Sequence, residues 1–144
     1  MIRTTTPTVL ITGASSGIGK SFAEQFARGG YQVILAARSV GKLEAIAAEL
    51  RHKYKTNATV IAADLEAADG AQQLHAKVKA SGVQLSALLN NAGYGLFGEF
   101  KDSALAPELA MMQLNMTSLV TLTKLFTPDL LATRGKLLNV ASTA

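Results

Sequence analysis

Val9-Leu10-Ile11, followed by Thr12-Gly13-Ala14-Ser15-Ser16-Gly17-Ile18-Gly19, is the stretch that decides the fold of this chain. A short apolar run that breaks into a glycine-rich turn and then opens a helix is typical of a phosphate-binding site. Glycine allows backbone angles and close approaches that a Cβ would forbid, and the first amides of a helix attract an anion. The spacing is G-x-x-x-G-x-G, without the lysine of a P-loop. A plain connecting loop is the alternative, but the pattern favours phosphate binding by Gly13, Ser15, Ser16, Gly17, Ile18 and Gly19.

Uninterrupted apolar segments alternate with helical segments along the chain. We predict strands at residues 9–12, 31–37, 58–63, 85–89 and 136–140. Such strands imply a parallel sheet that is covered by helices on both faces. Right-handed crossovers then give an α/β, Rossmann-like, doubly wound sheet of order 3-2-1-4-5, with its ligand at the carboxyl ends of the strands. With 144 residues the chain is predicted to form a single domain, residues 1–144.

The helical segments are predicted from apolar residues that recur on one face. The first helix, after Gly17, is expected to turn Ile18, Phe22 and Phe26 inward and to stop at Gly29-Gly30. The third is expected near residues 67–79. The inward positions of the second and third helices are Leu43, Ile46, Leu50, Leu74 and Val78.

One long helical region is expected from about residue 104 to residue 132. Its apolar residues cover nearly every face, which indicates burial on more than one side. One side should meet the sheet, and the other should meet either a second subunit or a further part of the same polypeptide. Pro128 is expected to bend or end this helix, because proline cannot donate to the preceding turn.

Composition excludes several kinds of function. The absence of cysteine excludes disulfides, thiolate metal ligands and a cysteine nucleophile. The net charge of +4 comes from scattered lysines and arginines, which suits an anionic small ligand better than a nucleic acid. His52 and His75 are expected on the solvated surface, and no metal site is predicted. No apolar run approaches the roughly 18–20 residues that span a bilayer, and the signal-peptide pattern is missing, so we predict a soluble cytoplasmic protein without a membrane partner.

Motifs along the whole chain resemble those of the short-chain dehydrogenase/reductase family. The glycine turn is the first of them, and the others follow in the order and at the spacings of that family. They are Asp64-Leu65, Asn90-Asn91-Ala92-Gly93, Asn115, and the segment from Gly135 to Ser142, GKLLNVAS. The resemblance implies an oxidoreductase that transfers hydride between a nicotinamide dinucleotide and a small carbonyl or alcohol substrate.

The resemblance also implies roles for single residues. The glycine turn would hold the pyrophosphate of the cofactor, and Asp64, with Leu65 beside it, would lie at the adenine. Asn91, Ala92 and Gly93 would line the adenosine ribose and the nicotinamide side, whereas Asn90 would be structural, with its amide bonded to neighbouring backbone. Asn115 would hold a water of the proton relay, or else be a packed residue at a helix break. Ser142 would be the catalytic serine that binds the substrate oxygen, or else a turn residue.

The end of the second strand bears on the choice of nicotinamide. NAD enzymes of this kind carry an acid there that binds the ribose 2′-hydroxyl, but this chain has Ala37 followed by Arg38. A guanidinium can place two hydrogen bonds on a 2′-phosphate. NADP is therefore favoured over NAD, with a solvated strand-end charge as the alternative interpretation of Arg38.

One departure from the family pattern limits the functional interpretation. The family's catalytic Tyr and Lys lie four residues apart, beyond the catalytic serine. None of the tyrosines, Tyr31, Tyr54 and Tyr94, is followed four positions later by lysine. We therefore expect the cofactor-binding, N-terminal part of an NADP-dependent reductase, incomplete at its C-terminal end, inactive alone, and prone to self-association through the apolar edge strand at 136–140 and the helix at 104–132. The alternative is a non-catalytic dinucleotide-binding module.

Overall fold

The computed structural model describes residues 6–142, so residues 1–5 and 143–144 of the predicted domain lie outside the described part. Five strands alternate with five α-helices, and the fourth and fifth helices are joined by a π-helical segment. The strands are β1 (Thr8–Thr12), β2 (Gln32–Ala37), β3 (Ala58–Ala62), β4 (Ala87–Asn90) and β5 (Lys136–Asn139). The helices are α1 (Gly17–Arg28), α2 (Val40–Tyr54), α3 (Gly70–Ala80), α4 (Leu105–Met112), the π segment Gln113–Ser118 and α5 (Leu119–Thr133), and a short 3₁₀ turn precedes α4 at Phe100–Asp102. The predicted strands are all present, with ends that differ by one or two residues.

The sheet is parallel with the order β3-β2-β1-β4-β5, which confirms the predicted fold class. Alternate residues of the central strands face opposite layers, as the two-residue period of a strand requires. On one face Val9 and Ile11 pack in the cluster that contains the inner residues of α1 and α2. On the other face Leu10 packs with the inner residues of α3 and α5, among them Leu74 and Phe126. All five residues of β1 are buried, so β1 is the centre of the molecule.

The inner face of α1 differs from the prediction. Ile18 is 58% exposed, and the residues buried against the sheet are Gly19, Ala23 and Ala27, with Phe22 and Phe26 only partly buried. The reason is close approach: a Cβ on Gly19 would lie 2.3 Å from the Gly13 carbonyl oxygen, so only small residues fit on this face. The predicted stop is confirmed, since α1 ends at Arg28 and Gly30 has a φ of +84°.

The long helical region is interrupted, but not where the sequence predicted. The π segment Gln113–Ser118 separates α4 from α5, whereas Pro128 lies inside α5, which continues to Thr133. The prediction that Pro128 ends the helix is wrong because tertiary contacts hold both neighbours of the proline. Phe126 is fully buried, and Asp129 accepts hydrogen bonds from Lys79 Nζ at 2.8 Å and from the Leu85 amide at 3.2 Å. A bend at Pro128 stays a prediction.

The two histidines differ from each other. His52 is exposed, as predicted. His75 is half-buried, and its ring packs edge-on against Phe126 with the ring centroids 4.8 Å apart. The prediction for His75 is therefore wrong, because α3 lies against α5 and the imidazole covers the buried phenyl ring.

Two apolar surfaces are exposed within residues 6–142. The strand β5 pairs only with β4 in this part of the chain, and Leu137 and Leu138 are exposed beside it. The second surface is a stripe along α4, the π segment and the start of α5, in which each side chain is 47–71% exposed. Its members, called the α4–α5 stripe below, are Leu105, Leu109, Met112, Met116 and Val120.

Candidate functional site

The glycine turn between β1 and α1 is built so tightly that side chains are excluded. Gly13 and Gly17 have φ values of +64° and +51°, which L residues rarely adopt. A Cβ on Gly13 would approach the Ala92 Cα to 2.8 Å. Gly13 and Gly19 therefore let the chain after β1 pass directly beside the chain after β4.

The start of α1 presents backbone donors at this turn. Ser16 is the N-cap residue, yet its side chain makes no capping hydrogen bond, and the helical ladder begins with the Lys20 amide bonded to the Ser16 carbonyl at 3.2 Å. The amides of Gly17, Ile18 and Gly19 belong to the first turn, where no intrahelical acceptor is available. This geometry, together with the helix dipole, is suited to an anion.

Thr12 and Asn91 tie the two strand ends together beneath the glycine turn. Thr12 Oγ1 donates to the Leu89 carbonyl at 3.3 Å and accepts from the amides of Asn91 and Ala92 at 3.1 and 3.0 Å. Asn91 Nδ2 donates to the carbonyls of Thr12 and Gly13, both at 3.1 Å. We call Thr12 and Asn91 the β1–β4 clip. The clip holds the backbone that forms the anion site, and its Thr12 member had no assigned role in the sequence analysis.

The side chain of Asn91 thus holds the glycine turn, a task that the sequence analysis did not assign, and the predicted lining of a cofactor by residues 91–93 stays a prediction. The side-chain amide of Asn91 is turned to the glycine turn, so only the backbone of Asn91, Ala92 and Gly93 is left to line a ligand. The polar residue at a strand end, Thr12 after Val9-Leu10-Ile11, was the signal in the sequence that pointed to this contact. Its partner lies 79 residues away, which is why the local pattern could not name it.

Asn115 lies in the π segment and holds the loop after β4. Its Nδ2 donates to the Tyr94 carbonyl at 2.8 Å, and its Oδ1 accepts from the Tyr94 amide at 3.1 Å. A Cβ on Gly93 would lie 3.0 Å from the same Oδ1, so glycine at 93 gives Asn115 the room it needs. The half-buried asparagine is paired, as a polar group on an apolar helix must be, and it fixes the loop that follows Gly93.

Asn90 is structural, but its bonds differ from those predicted. Its Nδ2 donates to Thr123 Oγ1 and to Asn139 Oδ1, both at 3.0 Å, and so reaches side chains rather than sheet backbone. Its Oδ1 is buried and has no hydrogen-bond partner among the described residues. The reason is that the sheet backbone at this position is already paired, with the Val140 amide on the Asn90 carbonyl at 3.0 Å.

Arg38 lies between the end of β2 and the start of α2, and it is paired. Its Nη1 donates to Glu66 Oε1 at 2.9 Å, with the Arg38 side chain 64% exposed and that of Glu66 26% exposed. Asp64 Oδ1 accepts from the Glu66 amide at 3.1 Å. Arg38 and Asp64 also line a cleft of about 250 Å³ that continues along α3 to Lys77. Arg38 and Asp64 thus lie at one edge of the sheet, and Glu66 is a residue that the sequence analysis missed.

Ser142 follows β5 at the carboxyl end of the sheet, the end at which Arg38 and Asp64 also follow their strands. Asn90 and Asn139 are register partners in the parallel pair β4 and β5. The segments after these two residues therefore leave the sheet side by side, one leading to Gly93 and the other to Ser142. Ser142 is exposed. The topology brings Ser142 to the same end of the sheet as the loop that Asn115 holds.

Residues 6–142 offer no candidate for a metal centre or for a membrane-crossing helix. No group of three or more His, Cys, Asp or Glu side chains is arranged to hold a metal ion in this range. No helix there has the length and apolar character that crossing a membrane requires.

Known proteins are similar in sequence over most of this chain. The human very-long-chain 3-oxoacyl-CoA reductase is 32% identical over 142 residues, which cover 92% of this chain and 44% of that protein. The Danio rerio very-long-chain 3-oxoacyl-CoA reductase-A is 34% identical over 140 residues, covering 92% of this chain and 43% of that protein. The chain therefore spans less than half the length of these relatives.

Solved structures give the same result. A short-chain dehydrogenase from Sphingobium yanoikuyae in complex with NADPH superposes with a TM-score of 0.88 at 34% identity, covering 95% of this chain and 54% of that one. An alcohol dehydrogenase from Thermococcus sibiricus complexed with 5-hydroxy-NADP has a TM-score of 0.87 at 31% identity, covering 92% and 57%. The family model for short chain dehydrogenase matches residues 7–144. With its sheet order, its glycine turn and these matches, the chain belongs to the short-chain dehydrogenase family.

Proposed function

We propose that this chain is the cofactor-binding part of an NADP-dependent oxidoreductase that transfers hydride to or from a small carbonyl or alcohol compound. The observation that carries the proposal is the anion site at the start of α1, held by the β1–β4 clip, with Arg38 rather than a carboxylate following β2. Glycine at 13 and 19 lets the turn pack directly against the chain after β4 and against α1, and this packing holds the first amides of α1 where they would bind a pyrophosphate.

The predicted residues follow neighbouring strands at the carboxyl end of the sheet, and each would contact a different part of a nicotinamide dinucleotide. Gly13, together with residues 15–19, would hold the pyrophosphate with backbone amides and the Ser15 and Ser16 hydroxyls. Arg38 would bind the 2′-phosphate, and Asp64 with Leu65 would lie at the adenine. The backbone of residues 91–93 would line the ribose and the nicotinamide side. Ile18, exposed beside the anion site, would cover the cofactor with an apolar surface.

The reaction step is proposed for Asn115 and Ser142. When bound, the nicotinamide supplies or accepts the hydride at its C4 atom. Ser142 would donate a hydrogen bond to the substrate oxygen and so hold the carbonyl in place. Asn115 fixes the Tyr94 backbone and would keep a water of the proton relay; its position in a π segment supports this role, because such segments are frequent at functional sites.

The general acid is proposed to come from a longer polypeptide. No Tyr-x-x-x-Lys is present among the 144 residues, and the chain spans 44% of the length of the human reductase. Retention of both Asn115 and Ser142 favours an enzyme over a non-catalytic module, since a binding module would need neither. The cytoplasmic location stays a prediction.

Self-association through the helical region at 104–132 is part of the proposal. The support is the α4–α5 stripe, five apolar side chains on one helical surface, each 47–71% exposed. Sedimentation of the chain at micromolar concentration tests this. We expect species larger than the 15.1 kDa monomer, and a shift toward monomer in Met116→Lys; a monomeric wild type would contradict the self-association but not the cofactor site.

The cofactor proposal is tested by binding. We expect calorimetric titration of the 144-residue chain to show tighter binding of NADPH than of NADH, because only NADPH carries the 2′-phosphate. Equal affinities would contradict the NADP assignment. Gly19→Ala, which forces the glycine turn or the start of α1 to shift, should bind neither nucleotide.

A further inference from the structure

The ion pair of Arg38 with Glu66 is unequal, because the carboxylate is largely buried whereas the arginine side chain is mostly exposed. The Glu66 side chain is 26% exposed, whereas that of Arg38 is 64% exposed. The two groups meet at 2.9 Å through a single donor, Nη1. The position of the Glu66 carboxylate therefore sets where the exposed Arg38 guanidinium lies.

The backbone beneath Glu66 is fixed from three sides. The Glu66 amide donates to Asp64 Oδ1 at 3.1 Å, and the carbonyl of Leu65 accepts from the buried Ser118 hydroxyl at 2.6 Å. Just before them, the Ala63 amide donates to the Ala37 carbonyl at 3.1 Å, which joins the ends of β2 and β3. The residue that holds Arg38 thus lies in a turn after β3 whose backbone is tied to the strand ends and to Ser118.

We propose that Glu66 sets how strongly this chain prefers NADP to NAD, by competing with the 2′-phosphate for the Arg38 guanidinium. The proposal rests on the proposed NADP function. The pair carries nearly no net charge, so a 2′-phosphate at Arg38 meets a compensated cation with a carboxylate on the same guanidinium. A second anion placed there is repelled by the first. Glu66 therefore lowers the selectivity that Arg38 alone would give.

The experiment uses two probes that differ only in the group at issue, adenosine 2′,5′-bisphosphate and adenosine 5′-monophosphate. Their dissociation constants are measured calorimetrically at low salt for the 144-residue chain and for Glu66→Gln. We expect Glu66→Gln to bind the bisphosphate about three- to fivefold more tightly, a size usual for exposed charge pairs, with the monophosphate unchanged. The gain should shrink as salt is added, because exposed charges are screened. Circular dichroism verifies that both proteins are folded.

Two controls separate competition for Arg38 from a change in net charge. Glu49→Gln removes the same charge from a loose pair with Lys20 at 3.8 Å and should leave the preference for the bisphosphate unchanged. In an Arg38→Ala background, Glu66→Gln should raise the bisphosphate affinity by less than half as much as it does when Arg38 is present, because the guanidinium is gone. An equal gain in that background, or from Glu49→Gln, would overturn the proposal.

The outcomes also distinguish this inference from the NADP assignment. A wild type that prefers the bisphosphate, with no gain in Glu66→Gln, retains the NADP assignment and overturns the role of Glu66. A wild type without preference that acquires one in Glu66→Gln supports the role of Glu66 and contradicts the NADP assignment. Folded proteins that bind neither probe would overturn both.

Discussion

The two ends of the candidate cofactor site are built in opposite ways. At the anion site, the glycine turn is held by close approaches of the backbone and by hydrogen bonds from the side chains of the β1–β4 clip to the backbone, and the clip's Thr12 is buried. At Arg38, one ion pair on the surface decides where the guanidinium lies. Burial makes the first end intolerant of change, since no rearrangement is available in a close-packed interior. Exposure makes the second end adjustable, since a change there disturbs binding and leaves folding intact.

The largest loss of stability is expected from a single methyl group added to the glycine turn. In Gly19→Ala the new Cβ would lie 2.3 Å from the Gly13 carbonyl oxygen, so the turn or α1 must shift. We expect the free energy of unfolding to fall by about 3 kcal/mol, the upper range for overpacking. Urea unfolding measures this. Gly41→Ala is the matched control, because nothing lies within 4 Å of a Cβ there, and it should be neutral or slightly stabilising.

A second prediction addresses the hydroxyl of the β1–β4 clip. Thr12→Val keeps the shape of the side chain but removes the oxygen that accepts from the amides of Asn91 and Ala92. Leaving these amides without their acceptor should cost about 2 kcal/mol, again read from urea unfolding. Thr59→Val on the exposed side of β3 is the control and should change stability little. Equal unfolding curves for Thr12→Val and Thr59→Val would show that the clip is unimportant.

The sequence predicted what depends on local pattern. The five strands, the parallel order and the stop of α1 at Gly29 follow from apolar runs, alternation and glycine, and all three are present. The predicted glycine turn was found with two of its glycines at positive φ. These features depend on residues that are close together in the chain, so they can be predicted from the local sequence.

The features that the sequence could not predict depend on packing between distant segments. Ile18 was expected inward by helical spacing, but the close approach of α1 to Gly13 leaves only small residues on that face. Pro128 was expected to limit the helix, but contacts of Phe126 and Asp129 carry the helix past it. Arg38 and Glu66 are 28 residues apart, and the sequence around either residue does not indicate that the two form a pair.

A smaller effect is expected from a substitution at the exposed end of the site, and it should change cofactor affinity without changing stability. Arg38→Ala removes the guanidinium that would bind the 2′-phosphate. Because Arg38 is 64% exposed and shared with Glu66, we expect NADPH affinity to fall by only about 1 kcal/mol. NADH affinity and urea unfolding should be unchanged. Arg28→Ala, on the last turn of α1, is the control; a matching loss there, or an equal loss for NADH, would mean that Arg38 is only a surface charge.

The smallest change in stability is expected from the contact between α1, which follows the glycine turn, and α2, which follows Arg38. Glu24 on α1 accepts from Lys53 Nζ at 2.6 Å and from the Tyr54 hydroxyl at 2.7 Å, both on α2. The hydrogen bond from Lys53, followed by that from Tyr54, lowers the pKa of Glu24 below its ordinary value of 4.5 and raises the pKa of Lys53 above its ordinary value of 10.5.

The direction of the pH dependence follows from the lowered carboxyl pKa. A carboxyl whose pKa is lower in the folded state stabilises the fold fully above its unfolded value, and that contribution disappears as pH falls through the folded value. The loss should therefore begin as pH drops below 4.5. Melting temperatures of the wild type and Glu24→Gln, measured from about pH 6 to about pH 3, should differ slightly at the upper end and converge at the lower. A difference that is constant across this range would mean that the charge of Glu24 does not contribute to joining α1 and α2.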